Sequence, residues 1–325
     1  MNLPKTSKPG EIPNEEYHYG EEYRNFISSS QLKNYLVSPK YAHYVQQHPR
    51  ETQTMGMLEG TIYHDLLESK VNKTFFPWVS FDDPPINSRT GKPFGSDTIA
   101  YQSELEKFKS EHPGCKVAPV DLLENVKKMV DHLLYEDKDL SPDIMYLIKQ
   151  GKAEESHFLE YEGAFFKYRT DLRTKTKIID WKKTTLENPK VENFPSIIIK
   201  YGYHISAAMY QFFEAQVTGK WKKFFWVVQE NEPPYDFMIL DSSEWTWDIS
   251  RGEVIPKVGA LIFLKLLEQH IWCLEHDHYP GYSVFVDPDW KGHRIGTPEV
   301  PGWYQKQSTF NFYNNNGKHT TEKAD

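Results

Sequence analysis

The residues most able to do chemistry sit in the run Ile178–Ile179–Asp180–Trp181–Lys182 and one short turn before it. Side chains alternate across a strand, so Asp180 and Lys182 project from one face. Asp171 precedes them by one hairpin and reaches the same spot if the two strands pair antiparallel. Two carboxylates and an ammonium converging on one place is a costly arrangement unless something uses it. Mg²⁺ is a hard cation held by one or two carboxylates plus phosphate oxygens. A lysine beside it can orient or help deprotonate a water, or offset charge in a phosphoryl transition state. Spacing alone favours a plainer outcome, an exposed ion pair on an edge strand, because Asp-x-Lys is short and common. The setting counts against that. Ile178–Ile179 reads as a buried central strand, and a charge at the end of such a strand needs a reason.

The elements around this trio follow from periodicity and punctuation. Residues 154–182 alternate, are rich in β-branched and aromatic residues, and carry turn chemistry at Glu162–Gly163 and near Thr174–Lys177; they predict three antiparallel strands. An amphipathic helix is predicted over 203–218, strands near 222–230 and 235–242, and a long helix over 250–278. Upstream, Ser30 is a plausible N-cap for a helix QLKNYL, and Ser38–Pro39 starts a second helix, KYAHYVQQH. Leu58, Ile62 and Leu66 recur every four residues and mark a helix face. A Pro/Gly/Asp/Ser-rich loop covers 77–95, and helices follow near 97–111, 119–137 and 142–150. The predicted class is α/β: a mixed central sheet flanked by helices, preceded by a helical segment. Residues 1–25 read as a flexible arm, 26–290 as one domain (helical to 150, sheet and helices from 151), and 291–325 as an irregular tail.

The chain has 325 residues, of which 38% are hydrophobic, 15% aromatic and 26% charged. That is enough to bury a substantial core. No apolar stretch approaches a membrane span, and the start of the sequence lacks the apolar region of a secretory signal. Two cysteines, Cys115 and Cys273, cannot build a disulfide framework, a four-cysteine zinc site or an iron–sulfur cluster. A reduced cytoplasm is the expected setting, the host's if the gene belongs to a phage. The net charge of −8 argues mildly against coating nucleic acid through overall charge, but leaves room for a local basic channel.

Asp171 followed by Asp180–Trp181–Lys182 and Thr184–Thr185 resembles the PD-(D/E)-x-K nuclease signature, most of all its RecE-type branch (exonuclease VIII and related phage exonucleases). The likeness extends to ISSSQLKNYLVSPKYAHY, GTIYHDLLE, NSRTGKPF, GKAEES, GYHISAAMYQFFEAQ, and HYPGYS with DPDW, running from about 27 to 290. The resemblance implies a PD-(D/E)-x-K fold in which Asp171, Asp180, His64 and the Trp181 backbone carbonyl hold Mg²⁺, with Mn²⁺ as a substitute. Lys182 is then the catalytic lysine, and Glu154 aligns with the acidic residue of the preceding strand and joins the catalytic set. It also implies degradation of one strand of linear double-stranded DNA, 5′ to 3′, in recombination. A ring-shaped trimer or tetramer and a single-strand annealing protein are the partners it suggests. Two positions depart from the pattern: Thr170 stands where proline is usual, and Ser206 replaces the glutamine of a Gln-x-x-x-Tyr pair whose tyrosine, Tyr210, is kept.

Expected DNA contacts are Arg89 and Lys92 in the Gly/Pro loop, Arg169, Arg173, Lys175 and Lys183 around the hairpin, and Ser206 and Tyr210 on the following helix. For each basic residue taken singly, a solvated surface charge is the commoner outcome. Phe94 and Tyr101 could stack on bases but are more often core. Two other functions compete: a non-catalytic DNA-binding or assembly protein on the same fold, which an intact Asp/Asp/Lys set argues against, and a structure-specific endonuclease. The iron–sulfur branch of these nucleases normally carries four cysteines and does not fit.

Overall fold

A computed structural model describes residues 3–8, 11–48, 54–82, 84–185, 193–250, 252–281, 285–286 and 294–295. Met1–Tyr279 form one compact unit and Pro280–Asp325 a second. In the second unit Phe285–Val286 pairs antiparallel with Arg294–Ile295. The DPDW motif, the last two residues of HYPGYS and the rest of the expected tail lie outside the described residues.

The helical part of the first unit opens with α1 (Asn14–Tyr19), α2 (Ser29–Leu32), α3 (Pro39–Gln47) and α4 (Met55–Asn72). Ser38 caps α3 as expected, its hydroxyl accepting from Tyr41 N at 3.1 Å. The cap of α2 is Ser28, not Ser30. Gln31 stands three residues after Ser28 and closes a capping box, which Ser30 cannot do. Next come α5 (Ile99–Glu111), α6 (Val120–Asp131) and α7 (Ser141–Gln150).

Among the described residues the strands form two larger sheets and three two-stranded pairs. In the first, β1 (Lys5–Thr6), β4 (Glu155–Tyr161) and β5 (Ala164–Thr170) lie side by side; a parallel pair, β2 (Trp78–Ser80) and β3 (Lys116–Ala118), stands apart. The second runs β6 (Leu172–Arg173), β7 (Lys177–Thr184), β8 (Lys223–Glu230), β9 (Phe237–Asp241). β7 pairs parallel with β8 and the other neighbours are antiparallel, so the sheet is mixed as expected. Between β7 and β8 lie α8 (Phe194–Tyr201) and α9 (Tyr203–Thr218). The last described helix, α10, spans Val258–Glu275, shorter than the expected 250–278 because a ribbon of Trp247–Asp248 with Ile255–Pro256 occupies the residues before it.

Alternation along β7 divides the interior. Ile179 and Trp181 join Ile62, Tyr63, Leu66 and Val126 in one core, while Ile178 joins Phe194, Ile198, Phe224 and Trp226 in another. Asp180 and Lys182 share the parity of Ile178 and so face α8 and α9. The first turns of the chain are not a loose arm. Tyr17, Tyr23 and Phe26 are buried around Phe158, with Tyr23 stacked on it at 4.5 Å. The Lys167 ammonium donates to the carbonyls of Tyr17 and Tyr23 at 2.6 and 3.1 Å. Among the described residues, no helix is long and apolar enough to cross a membrane.

Candidate active site

The site forms where the two sheets separate. β5 ends at Thr170 and β6 starts at Leu172, which leaves Asp171 at the break. Opposite it the pairing runs Glu155↔Thr170 on one side and Lys152↔Arg173 on the other, so the register sets Glu154 across from Asp171. Like charges facing each other across strands are destabilising. Glu154 also holds a left-handed backbone, φ 57°. For a non-glycine residue this conformation costs on the order of 1 kcal/mol or more and persists only where surrounding structure enforces it. Its N–H is tied to Thr170 O at 3.0 Å.

β6 begins only at Leu172, opposite Ile179, and the N–H of Trp181 donates instead to the Asp171 carboxylate at 2.7 Å. The third member comes from α4. Asn72 clamps that helix to the backbone of Ala153, donating to its carbonyl and accepting from its N–H, both at 3.1 Å. Tyr63 donates to Gln229 on β8 at 2.9 Å. These anchors place His64 Nδ1 3.5 Å from Asp171 and 3.9 Å from Glu154. One donor atom from each of His64, Glu154 and Asp171 lies within 4.8 Å of the others. On the adjacent face, Lys182 Nζ donates to Asp180 at 2.6 Å and lies 3.4 Å from the Trp181 carbonyl.

The electrostatics carry the same strain. Burial pushes the Asp180 carboxyl up to about 7, against the pull of Lys182 and with Asp171 adding to it. Burial likewise raises Asp171, and raises Glu154 well above the usual carboxylate range with help from Asp171. Burial and the Lys182 charge hold His64 neutral, down to about 4. Burial opposes the charge on Lys182, but Asp180 and Asp171 outweigh it and raise its pKa. Three carboxylates thus meet two cations, Lys182 beside Asp180 and Asp171 and Arg169 3.9 Å from Glu154, in a place that disfavours charge. Imidazole and carboxylate donors at this spacing suit a divalent cation, which relieves that excess.

The cleft over this cluster has a volume of about 290 Å³. Tyr210 lines it, with Arg169, the serines that begin α2, and Asn14 and Tyr17 of the segment expected to be a loose arm. Asp65, one residue after His64, also lines it and accepts from Trp78 Nε1 at 2.7 Å. The sequence reading missed Asn14, Tyr17 and Asp65; the aromatic run Tyr17, Tyr23, Phe26 was the available signal that this segment packs.

The expected DNA contacts divide. Arg173 is bound to Glu214 and Glu155 and serves the interior. Lys183 pairs with Glu59 at 2.5 Å. Arg169 lines the cleft but is engaged by Ser156 Oγ at 2.6 Å, Asn14 Oδ1 at 3.1 Å and the Ile12 carbonyl at 2.9 Å. In each case the strand face turned the guanidinium or ammonium toward a carboxylate or carbonyl distant in sequence. Arg89, Lys92 and Lys175 are exposed and do not line the cleft, and Ser206 is half-buried on α9 without lining it. Phe94 is half-buried, and Tyr101 packs edge-on against Phe81 at 5.4 Å.

A family model described as a PDDEXK-like domain of unknown function (DUF3799) matches residues 28–283. Among solved structures, the chain is similar to one from Eubacterium rectale described as a "Putative exonuclease". The two share 14% identity at a TM-score of 0.52, over 89% of this chain and 96% of that one. At this identity the likeness speaks to the fold. No curated protein sequence matches the chain.

Proposed function

The chain belongs to the PDDEXK-like domain family, and from that premise we propose that it is a metal-dependent nuclease acting on the ends of linear double-stranded DNA. The observation that carries the reading is the meeting of His64, Glu154 and Asp171, brought from a helix and from positions flanking two strand ends, beside the Asp180–Lys182 pair. A neutral imidazole and two carboxylates are the groups that would hold Mg²⁺ or Mn²⁺. When bound, the cation supplies charge neutralisation for the phosphoryl transition state and acidity for the attacking water. Lys182, kept protonated by Asp180 and Asp171, acts as a cation that steadies developing negative charge rather than as a base. Asp180 fixes its direction. Tyr210, at the cleft wall, contacts the strand or its water. The 5′ to 3′ polarity, a role in recombination, a ring-shaped oligomer, an annealing partner and a cytoplasmic setting rest on the RecE-type resemblance.

The test uses an end-labelled linear duplex and a covalently closed circle, each with Mg²⁺ and with EDTA. The expected outcome is Mg²⁺-dependent release of label from the linear substrate alone. Cleavage of the circle replaces the exonuclease reading with an endonuclease. No cleavage of either substrate rejects the nuclease.

A further inference from the structure

The corner between α8 and α9 lies beside Lys182 and is built around a second lysine. Tyr203, the first residue of α9, has its ring 4.9 Å from Lys182 Nζ and 6.0 Å from Lys33 Nζ. Phe194 stacks on it at 6.0 Å and Tyr201 at 5.6 Å, both inclined by 25°. The stack therefore runs from the interior, beside the catalytic lysine, to Tyr201, which is 50% exposed. Gly202 makes the turn with φ 62°, and a Cβ there would stand 2.9 Å from Lys33 Cδ, so the lysine stem occupies the space that a side chain would fill.

Lys33 is half-buried, and its ammonium donates to the Tyr201 carbonyl at 2.9 Å. No carboxylate among the described residues pairs with it. Burial and the neighbouring Lys182 push its pKa down to about 8. An ammonium has three donors, and a partly desolvated cation without an anionic partner is costly unless an anion arrives. Both ammonium groups lie within 6.0 Å of one ring, and Lys182 is taken by Asp180, so the remaining donors of Lys33 suit a phosphate, and the exposed ring at the end of the stack suits a base.

We propose that Lys33, Tyr203 and Tyr201 form a nucleotide subsite beside the scissile position. Lys33 holds the neighbouring phosphate of the cleaved strand, Tyr203 keeps the two lysines apart, and Tyr201 stacks on that nucleotide's base. The subsite rests on the nuclease reading above, and the experiment separates the two.

Duplexes carrying 2-aminopurine at each of the first three positions from an end are bound to the full chain with Ca²⁺ in place of Mg²⁺. The fluorescence should change on binding at one position. Tyr201→Ala should abolish that change and weaken binding about tenfold, while Tyr201→Trp keeps both. In Mg²⁺, Lys33→Ala should raise KM for the duplex about tenfold with kcat changed much less, and Lys33→Arg should restore most of it. Wild-type fluorescence behaviour in Tyr201→Ala, or an unchanged KM in Lys33→Ala, overturns the subsite while leaving the nuclease intact. A wild-type chain that neither binds nor cleaves the duplex rejects both.

Discussion

Two charged clusters lie on either side of the same short strand, and they are built on opposite rules. In the interior, Glu214 accepts from Arg173 through both carboxylate oxygens, from Lys222 at 2.9 Å and from the Tyr168 hydroxyl at 3.0 Å. Although burial works against its charge, these partners hold its carboxyl down to about 2. Two residues before Arg173, Asp171 faces Glu154 and Asp180, and all three carboxyls are pushed up. Every charge in the first cluster is answered by protein. The second carries an excess that protein does not answer, with a left-handed backbone at Glu154 added. Satisfied networks of this kind hold a fold together, and unsatisfied ones with perturbed titration mark places built for something not yet bound.

The contrast can be broken most severely from the interior side. Glu214→Gln leaves Arg173 and Lys222 without their buried counter-charge and should cost about 3 kcal/mol in urea denaturation. A loss below a few tenths would mean that the network is ornamental. His157 lies against the same cluster, stacked on Tyr168 at 4.5 Å, with burial holding its ring neutral down to about 3. The unfolded chain protonates this histidine below its ordinary 6.5 and the folded chain does not. Its contribution is therefore fully present above that pH and is lost as pH falls toward 3. His157→Asn should accordingly lose about 2 kcal/mol less than wild type between pH 7 and pH 5. Equal losses in the two proteins would remove His157 from the account.

On the other side the sign reverses. Glu154→Gly relieves both the left-handed strain and the repulsion from Asp171, and should raise stability in EDTA by about 1 kcal/mol while abolishing tight Mn²⁺ binding in a calorimetric titration. If it destabilises the metal-free protein, Glu154 belongs with the satisfied cluster and the comparison fails.

Sequence revealed one of these clusters better than the other. Strand alternation alone put Asp180 and Lys182 on one face, and the 2.6 Å pair between them agrees. The family resemblance brought His64 and Glu154 to the same hairpin. It did not indicate that Glu154 faces Asp171 across the split between sheets, because a glutamate, unlike glycine or asparagine, gives no sign in sequence of a left-handed backbone. Arg173 and Lys183 were read as DNA contacts because a basic residue near a catalytic hairpin looks the same whether it meets phosphate or a carboxylate on another element. Their partners, Glu214 and Glu59, are set by tertiary packing. The N-terminal turns were misread for a related reason. Tyr17 and Tyr23 are too sparse to form a periodic stripe, and their burial depends on Phe158 and Lys167 far along the chain.

The most direct test of the central claim is the initial rate of label release from a linear duplex in Mg²⁺, with wild type and Lys182→Ala side by side at matched folded concentration. The account predicts that Lys182→Ala retains less than about 1% of the wild-type rate, since it removes the cation proposed to steady developing charge on the reacting phosphate. A variant that cleaves at the wild-type rate would contradict it and move the chemistry away from Asp171, Asp180 and Lys182.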